Sequence, residues 1–562
     1  MADNNQSFSL VWFRGDLRLH DNEPLTMAIK QSQGRILPFY CFDVRQFGPT
    51  YSFGFPKTGP FRAEFLIESV QCLRDGLRKL GSDLIVRVGK PEEEIPKLIK
   101  SLNVPVTHLF GQKEITSEET DCEKSVHRAL GKLDKKVESK LVWGGQTMHH
   151  IDDLPFQVEG GHPLKVFTHY RTMMESKNIS VRQPFPSPSK LQSLPKTGKE
   201  DREVSVGDLP DLDQLMAIGN FGKWLQDHVQ RDPNYKGDEI VKEGPTSNSK
   251  KHRDPAQVMT GGEVAGLKRL HFYLWEGRHI DTYKSTRNGL LGSTYATKFS
   301  PWLATGCLSV RQIYHEIKKY ESKHGANDST YWVTFELMWR DYFKWVGLKH
   351  KNDIFKLYGL KGEKKDEQRE WKKDVSTFEM WARCKTGYPF VDANMRELTA
   401  TGHMSNRGRQ NVASFLTKDM KMDWRMGAEF FESFLIDHDV TSNYCNWLYV
   451  AGVGNDPKEN RYFNVVKQGH MYDSKGEYVC YWFPQLKKLP DADHMMQPFL
   501  YKGPEGTFSL DRDYCEPVVK VNFKKEGGDH HRSHGKKDFK IKRGGHGGRT
   551  VRDGAPQHSS TH

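Results

Sequence analysis

Five short apolar runs recur through the first 145 residues, each separated from the next by an amphipathic stretch. LVWF (10–13), RILPFYCF (35–42), DLIVRVG (83–89), THLFGQ (107–112) and KLVWGG (140–145) are short and continuous, as strands buried on both faces are. Between them, FRAEFLIESVQCLRDGLRKLG sets Phe61, Phe65, Ile67, Val70, Leu73 and Leu77 on one stripe at helical spacing. This alternation predicts a doubly wound parallel sheet over residues 8–145. No G-x-G-x-x-G follows the first run, so a dinucleotide is not expected there in the usual way, although the sheet crevice could hold a ligand.

The pattern then changes twice. Residues 146–254 carry Pro184, Pro186, Pro188, Pro195 and Pro210 and a nearly all-polar stretch at 232–255, and read as an interdomain connector. From 255 to 496 the strand signal fades and helical patterns rich in aromatics take over, as in STYWVTFELMWRDYFKWVG and MGAEFFESFLID. The fold class is therefore α/β plus all-α. Residues 497–562 form a C-terminal extension whose Gly/His/Lys/Arg-rich end has too few apolar residues to fold alone and is expected to be disordered.

Composition narrows the function. With 13 Trp, 21 Tyr and 31 Phe the chain can build stacking surfaces for flat ligands. The net charge is +12, but eleven Lys/Arg against four Asp/Glu between Val518 and His562 place +7 of it in the tail. Any nucleic-acid site on the body is then a local patch. Eight scattered cysteines, none in C-x-x-C, argue against zinc ribbons and fit a reducing compartment. No apolar run approaches the ~20 residues of a membrane span, and the start lacks the pattern of a secretory signal or organellar transit peptide. The expectation is a soluble monomer of the nucleus or cytoplasm with no membrane partner.

Four stretches carry candidate chemistry. In ATKFSPWLATGCLS, Ser300 before Pro301 is a helix start, with Thr297 and Lys298 beside it; it is an anion site or simply a capped helix. In FELMWRDYF, Glu336, Trp339 and Arg340 share a helix face, as a base-binding group or as a surface ion pair beside a core Trp. In MSNRGRQNVASFL, Asn406 and Arg409 can converge on one ligand, or Asn406 can cap a helix. In DHDVTSNYCNWLYVAGVG, a helix after Asp439 would align Asp439, Asn443 and Trp447 at i, i+4 and i+8, with Asp437 free to meet Arg409. The D-x-D spelling has no further ligand cluster to make a metal site, and H-x-E and H-E-x-x-H are absent. No nucleophile stands among these groups, which suits a protein whose cofactor does the chemistry.

Together LVWFRGDLRLHDN, YKSTRNGLLG, TKFSPWLATGCLS, KTGYPFVDANMREL, MSNRGRQNVASFLTKDMKMDWR and DHDVTSNYCNWLYVAGVGNDPKENRYFN resemble the photolyase/cryptochrome family, across nearly all of residues 8 to 490. TRNGLLG, SNRGRQN and GVGNDPKENRYFN most resemble its DASH-type cryptochromes. The resemblance implies an α/β antenna domain followed by a helical domain that binds FAD. By motif position it assigns Tyr283, Thr297, Lys298, Phe299 and Ser300 to the phosphates and ribityl chain. It sets Glu336, Arg340, Asn406, Arg409, Asp437 and Asp439 around the cofactor and Asn443 opposite flavin N5. Trp447, Trp424 and Trp371 match the family's electron-carrying tryptophans. Glu336, Trp339, Gln410 and Tyr449 match the lesion pocket, where double-strand photolyases typically carry Met and Trp at the Gln410 and Tyr449 positions; the difference implies a preference for single strands. Glu118 resembles the carboxylate that holds an antenna folate, 5,10-methenyltetrahydrofolate, with Glu114 and Glu119 as rivals. Departures from the pattern are Ala296, Thr294 and His403, the last where an aromatic is usual. The implied activity is light-driven repair of cyclobutane pyrimidine dimers in single-stranded DNA. The alternative is a photoreceptor that binds DNA or RNA, the latter through the basic stretch 536–552.

Overall fold

A computed structural model describes residues 7–159, 162–197, 202–228, 259–362, 370–456, 458, 461–504 and 507–521. The five apolar runs are strands β1 (Phe8–Phe13), β2 (Ile36–Asp43), β3 (Ile85–Gly89), β4 (Val106–Gln112) and β5 (Glu138–Val142), all parallel in the order β3-β2-β1-β4-β5. Helices α1 (Glu23–Ser32), α2 (Pro60–Lys79), α3 (Pro91–Ser101) and α4 (Ser117–Leu130) make the crossovers. β1 and β2 are buried along their whole length, which is why they read as unbroken apolar runs. Leu10, Trp12, Leu37, Phe39, Ile85, Leu109 and Val126 share one core, each fully buried aliphatic or Phe side chain contributing about 1.5–3 kcal/mol over leaving it in water. On α2 the apolar stripe is buried, except Ile67, which is partly exposed.

The crevice at the carboxyl ends of β1 and β4, where the strand order reverses, is where such sheets bind ligands. Here Arg14 occupies it. Its guanidinium lies 4.2 Å above the Trp12 ring and donates to Glu123 at 2.6 Å, and Glu123 also accepts from Glu114 N at 2.7 Å.

The connector is partly exposed but is tied to the body at several described points. Met148 N and His149 N donate to the buried carboxylate of Asp341 at 3.0 and 3.1 Å, in the helix Asp328–His350. Phe167, in helix α5 (Phe167–Ser176), stacks on Trp339 with centroids 3.8 Å apart. Asp21, after β1, is the central tie. Arg311 donates Nη2 and Nε to it at 2.5 and 3.0 Å, Phe185 N donates at 3.0 Å, and Ser309 Oγ donates to the same carboxylate. Gly145 lies against this tie, where a Cβ would sit 3.0 Å from an Asp21 carboxylate oxygen and 3.2 Å from Arg311 Nη2.

The rest of the body is helical, with no further described strand after residue 203. The extension after 497 docks before it ends: Tyr514 donates its hydroxyl to buried Asp392 at 2.6 Å, and Val518 N donates to Thr386 O at 2.9 Å. The basic stretch 536–552 lies outside the described residues. All eight cysteines are free, and among the described residues no helix is long and apolar enough to cross a membrane.

Candidate functional site

One cavity of about 330 Å³ gathers most of the candidate residues: Tyr283, Thr297, Lys298, Phe299, Ser300, Glu336, Arg340, Asn406, Arg409, Gln410, Asp437, Asp439, Asn443 and Trp447 all line it. Four chain segments far apart in sequence supply them. The helix Val440–Ala451 explains the spacing in the aspartate stretch. Asp439 is its N-cap, accepting from Ser442 N at 2.8 Å, so Asn443 and Trp447 follow at one and two turns on the same side. Asn443 donates Nδ2 to Ala428 O at 2.9 Å, which leaves Oδ1 as its acceptor for the cavity.

The acidic groups here are held by counter-charges. Burial opposes ionisation of Asp437, but Arg409, donating Nη2 to it at 2.8 Å, outweighs burial and keeps the carboxyl below its ordinary range. Burial likewise works against Asp439, yet Lys344 Nζ at 3.1 Å and the nearby Arg340 hold it far below that range. Glu336 goes the other way. Burial raises it, against the opposing charge of Arg287, with which it forms an ion pair. Burial drives His438 well below the usual imidazole value, and the Arg62 charge adds to the effect.

Several details differ from the sequence reading. Ser300 is not the N-cap: Phe299 takes that position, and the helix Ser300–Ala304 has only five residues, too short for a strong terminal field. Asn406 is not a cap either, because Ser405 accepts from Gly408 N at 3.0 Å. Glu336 pairs with Arg287 and not with Arg340, which donates instead to Gln146 O at 2.5 Å and Leu303 O at 3.3 Å. Trp339 and Tyr449 stand beside the cavity without lining it, their rings edge to face at 6.0 Å. One face of Trp339 is already covered by Phe167. Gln410 accepts from Arg407 Nη1 at 2.8 Å, and Tyr449 Oη from Arg461 Nη2 at 3.2 Å.

The three tryptophans run outward from this cavity. Trp447 lines it and lies over Gly427, whose missing side chain makes room: a Cβ there would meet the indole at 2.2 Å. Trp424, fully buried, is one helical turn away on the helix Trp424–Phe434. Trp371, partly exposed, comes next, because Lys372 N donates to Lys421 O and Asp423 N to Lys372 O at 2.9 and 2.8 Å. The ring neighbours of Trp447 are Phe431 at 5.0 Å and Trp381 at 6.3 Å, and Trp381 was not singled out in the sequence. Arg287, Tyr295 and His438 are further lining residues that the sequence reading passed over. Arg287 stood inside a quoted motif and His438 between the two aspartates, so each was visible but had no partner to give it a role. Ala296 lines the cavity, whereas Thr294 is exposed.

Glu118 lies outside this cavity, at the start of α4. It is mostly exposed, and Lys57 Nζ donates to it at 2.6 Å. Its charge reaches the buried pair formed by Tyr444 Oη and Glu432 at 3.0 Å, where burial pushes Glu432 up to about 7. Glu114 is also pushed up to about 7 by burial, and Glu119 is tied to Thr116. Among the described residues no His/Cys/Asp/Glu group could hold a metal ion.

Two family models match the chain: DNA photolyase over residues 9–189, and the FAD binding domain of DNA photolyase over residues 332–528. A cryptochrome DASH of Gloeobacter violaceus is 46% identical over 513 residues, covering 91% of this chain and 92% of its own. A cryptochrome DASH of Xenopus laevis is 49% identical over 509 residues, covering 90% and 88%. Among solved structures, a Synechocystis sp. PCC6803 cryptochrome superposes with a TM-score of 0.78 at 43% identity, covering 92% of this chain and 96% of its own. The two family models and the similarity over most of each chain show that the chain belongs to the photolyase/cryptochrome family, with DASH cryptochromes as its relatives.

Proposed function

We propose that this chain binds FAD in the helical-domain cavity and, under blue light, splits cyclobutane pyrimidine dimers, preferentially in single-stranded DNA. The observation that carries this reading is the cavity lining. Tyr295 Oη and Asp437 Oδ1 are buried there without a hydrogen-bond partner. Buried polar atoms are rarely left so, and a ligand rich in hydroxyl, amide and phosphate groups answers them. When bound, FAD supplies light absorption and electron transfer.

The chain's own residues do the rest. Asn443 Oδ1 is an acceptor for a protonated ring nitrogen. Arg409 keeps Asp437 ionised, so that its free oxygen accepts from the ligand. Glu336, raised by burial, can donate to or accept from a pyrimidine carbonyl. Repair involves no net oxidation: the dimer gains an electron, its two inter-ring carbon–carbon bonds break, and the electron goes back. Gln410 and Tyr449 offer a flipped dimer less stacking than a larger aromatic would, which favours substrates with no duplex to open.

Reduced full-length protein should restore thymine in UV-irradiated single-stranded oligothymidylate under blue light. Glu336→Ala should lower that yield about tenfold or more, the scale of one hydrogen bond to an ionisable group. No recovery by fully reduced protein would reject repair. Binding of DNA or RNA without recovery would favour the photoreceptor reading, whose support is the seven Lys/Arg of residues 536–552, outside the described residues.

We also propose a 5,10-methenyltetrahydrofolate antenna at Glu118, between α4 and the Glu432–Tyr444 pair. Glu118→Gln should reduce the folate absorption band of folate-loaded protein while leaving the flavin spectrum intact. An unchanged folate band would move the role to Glu114 or Glu119.

A further inference from the structure

His403 puts an ionisable ring in the wall of the cavity. It follows the helix Pro389–Thr401, is 6% exposed, and its Nδ1 is buried with no hydrogen-bond partner. Glu397 Oε1 lies 3.8 Å from that nitrogen. Glu397 is itself 1% exposed, and its other oxygen accepts from Tyr478 Oη at 2.7 Å. Nε2 is then the nitrogen left for the cavity that His403 lines.

The charges around the ring come from every side of the site. Glu397, from the preceding helix, favours a proton on His403, while Lys298 and Arg409, from two other segments, oppose one. Asp437 feels the imidazole in turn. Burial is the largest influence and pushes the imidazole down, so the ring is neutral near neutral pH. The hydroxyls of Tyr295 and Tyr478 complete the surroundings, both kept protonated by burial.

A ligand carrying two phosphate charges reverses this balance. It offsets the field of Lys298 and Arg409, which line the same cavity as His403. We propose that FAD uptake places a proton from water on His403, so that Nδ1–H donates toward Glu397 and Nε2–H toward the ligand, and FAD is held more tightly as pH falls. The proposal rests on the reading of this cavity as the FAD site. The sign follows from linkage: a group whose pKa is higher in the bound state adds affinity at low pH and loses it as pH rises through the bound value.

The test is FAD release from the purified full-length holoprotein, followed by the return of free-flavin fluorescence on dilution across about pH 6 to 9. The dissociation constant of the natural protein should rise by up to about tenfold per pH unit within that window. His403→Phe, which keeps a ring but cannot take a proton, should bind FAD with that pH dependence removed. His403→Gln, which keeps a polar side chain, should do the same and guards against loss of packing. A natural protein with no such slope, or a Phe variant with the same slope, would overturn the proposal. A full-length protein that carries no FAD at any pH would instead overturn the reading of the cavity, and the proposal with it.

Discussion

Replacing Asp21 with alanine is expected to lower the free energy of unfolding by about 3–5 kcal/mol, the cost of leaving a buried charge without its partner. The stranded group is the Arg311 guanidinium, 1% exposed, which donates to Asp21 through both Nη2 and Nε. Ser309 Oγ and Phe185 N lose their acceptor at the same time. Because those partners come from the connector and the helical domain, the loss should appear as one shift of the whole transition in urea, read by tryptophan fluorescence. Lys124→Ala is the control: its pair with Asp121 is on the surface, and its loss should cost under about 1 kcal/mol. Equal shifts for the two variants would mean that water reaches Arg311 and that the tie is not a buried one. pH gives a second check. Burial opposes ionisation of Asp21, but Arg18 and Arg311 prevail and depress its pKa in the folded state. Its contribution is therefore fully present above about pH 4 and is lost as pH falls through the depressed value.

Arg409→Ala is expected to strip the protein of flavin. The substitution leaves the Asp437 carboxylate, 2% exposed, without its counter-charge at the wall of the cavity. Truncating one partner of such a pair costs about 2–5 kcal/mol, so FAD affinity should fall roughly thirtyfold or more. Arg409→Lys should fall between the two. It keeps the charge but loses the fork that reaches Asp437 and Met404 O together, at 2.8 and 2.9 Å. Flavin absorbance per protein after gel filtration measures both. Full flavin content in the alanine variant would show that Asp437 is not part of the binding wall.

The sheet was legible in the sequence because β1 and β2, buried along their whole length, leave unbroken apolar runs, and the partly exposed edge strands β3 and β5 keep short apolar runs of their own. The aspartate stretch was legible because a helix repeats every 3.6 residues, so Asp439, Asn443 and Trp447 had to share a side once the helix began. Arg409 and Asp437, 28 residues apart, could be paired only as a conjecture; the fold brings them to 2.8 Å. What pattern could not supply was competition among partners. Glu336 had Arg340 one turn away, yet the fold offers it Arg287, while Arg340 is drawn to two backbone carbonyls. The ties of the connector were hidden for a related reason. Proline and polar residues mark it as irregular, but irregular backbone can still be tied down by distant side chains, as Asp341 ties residues 148 and 149.

That last tie has a consequence for how the molecule is made. Met148 N waits for a carboxylate 193 positions further along the chain. At ribosomal speeds of about 5–20 residues per second, roughly 10–40 seconds pass between the synthesis of the two. Throughout that interval the first-made half carries open amide groups and the bare stacking face of Phe167, whose partner Trp339 is also yet to come. Early translational arrest should therefore yield a nascent species that chaperones bind, and release should follow only once the helix Asp328–His350 has left the exit tunnel.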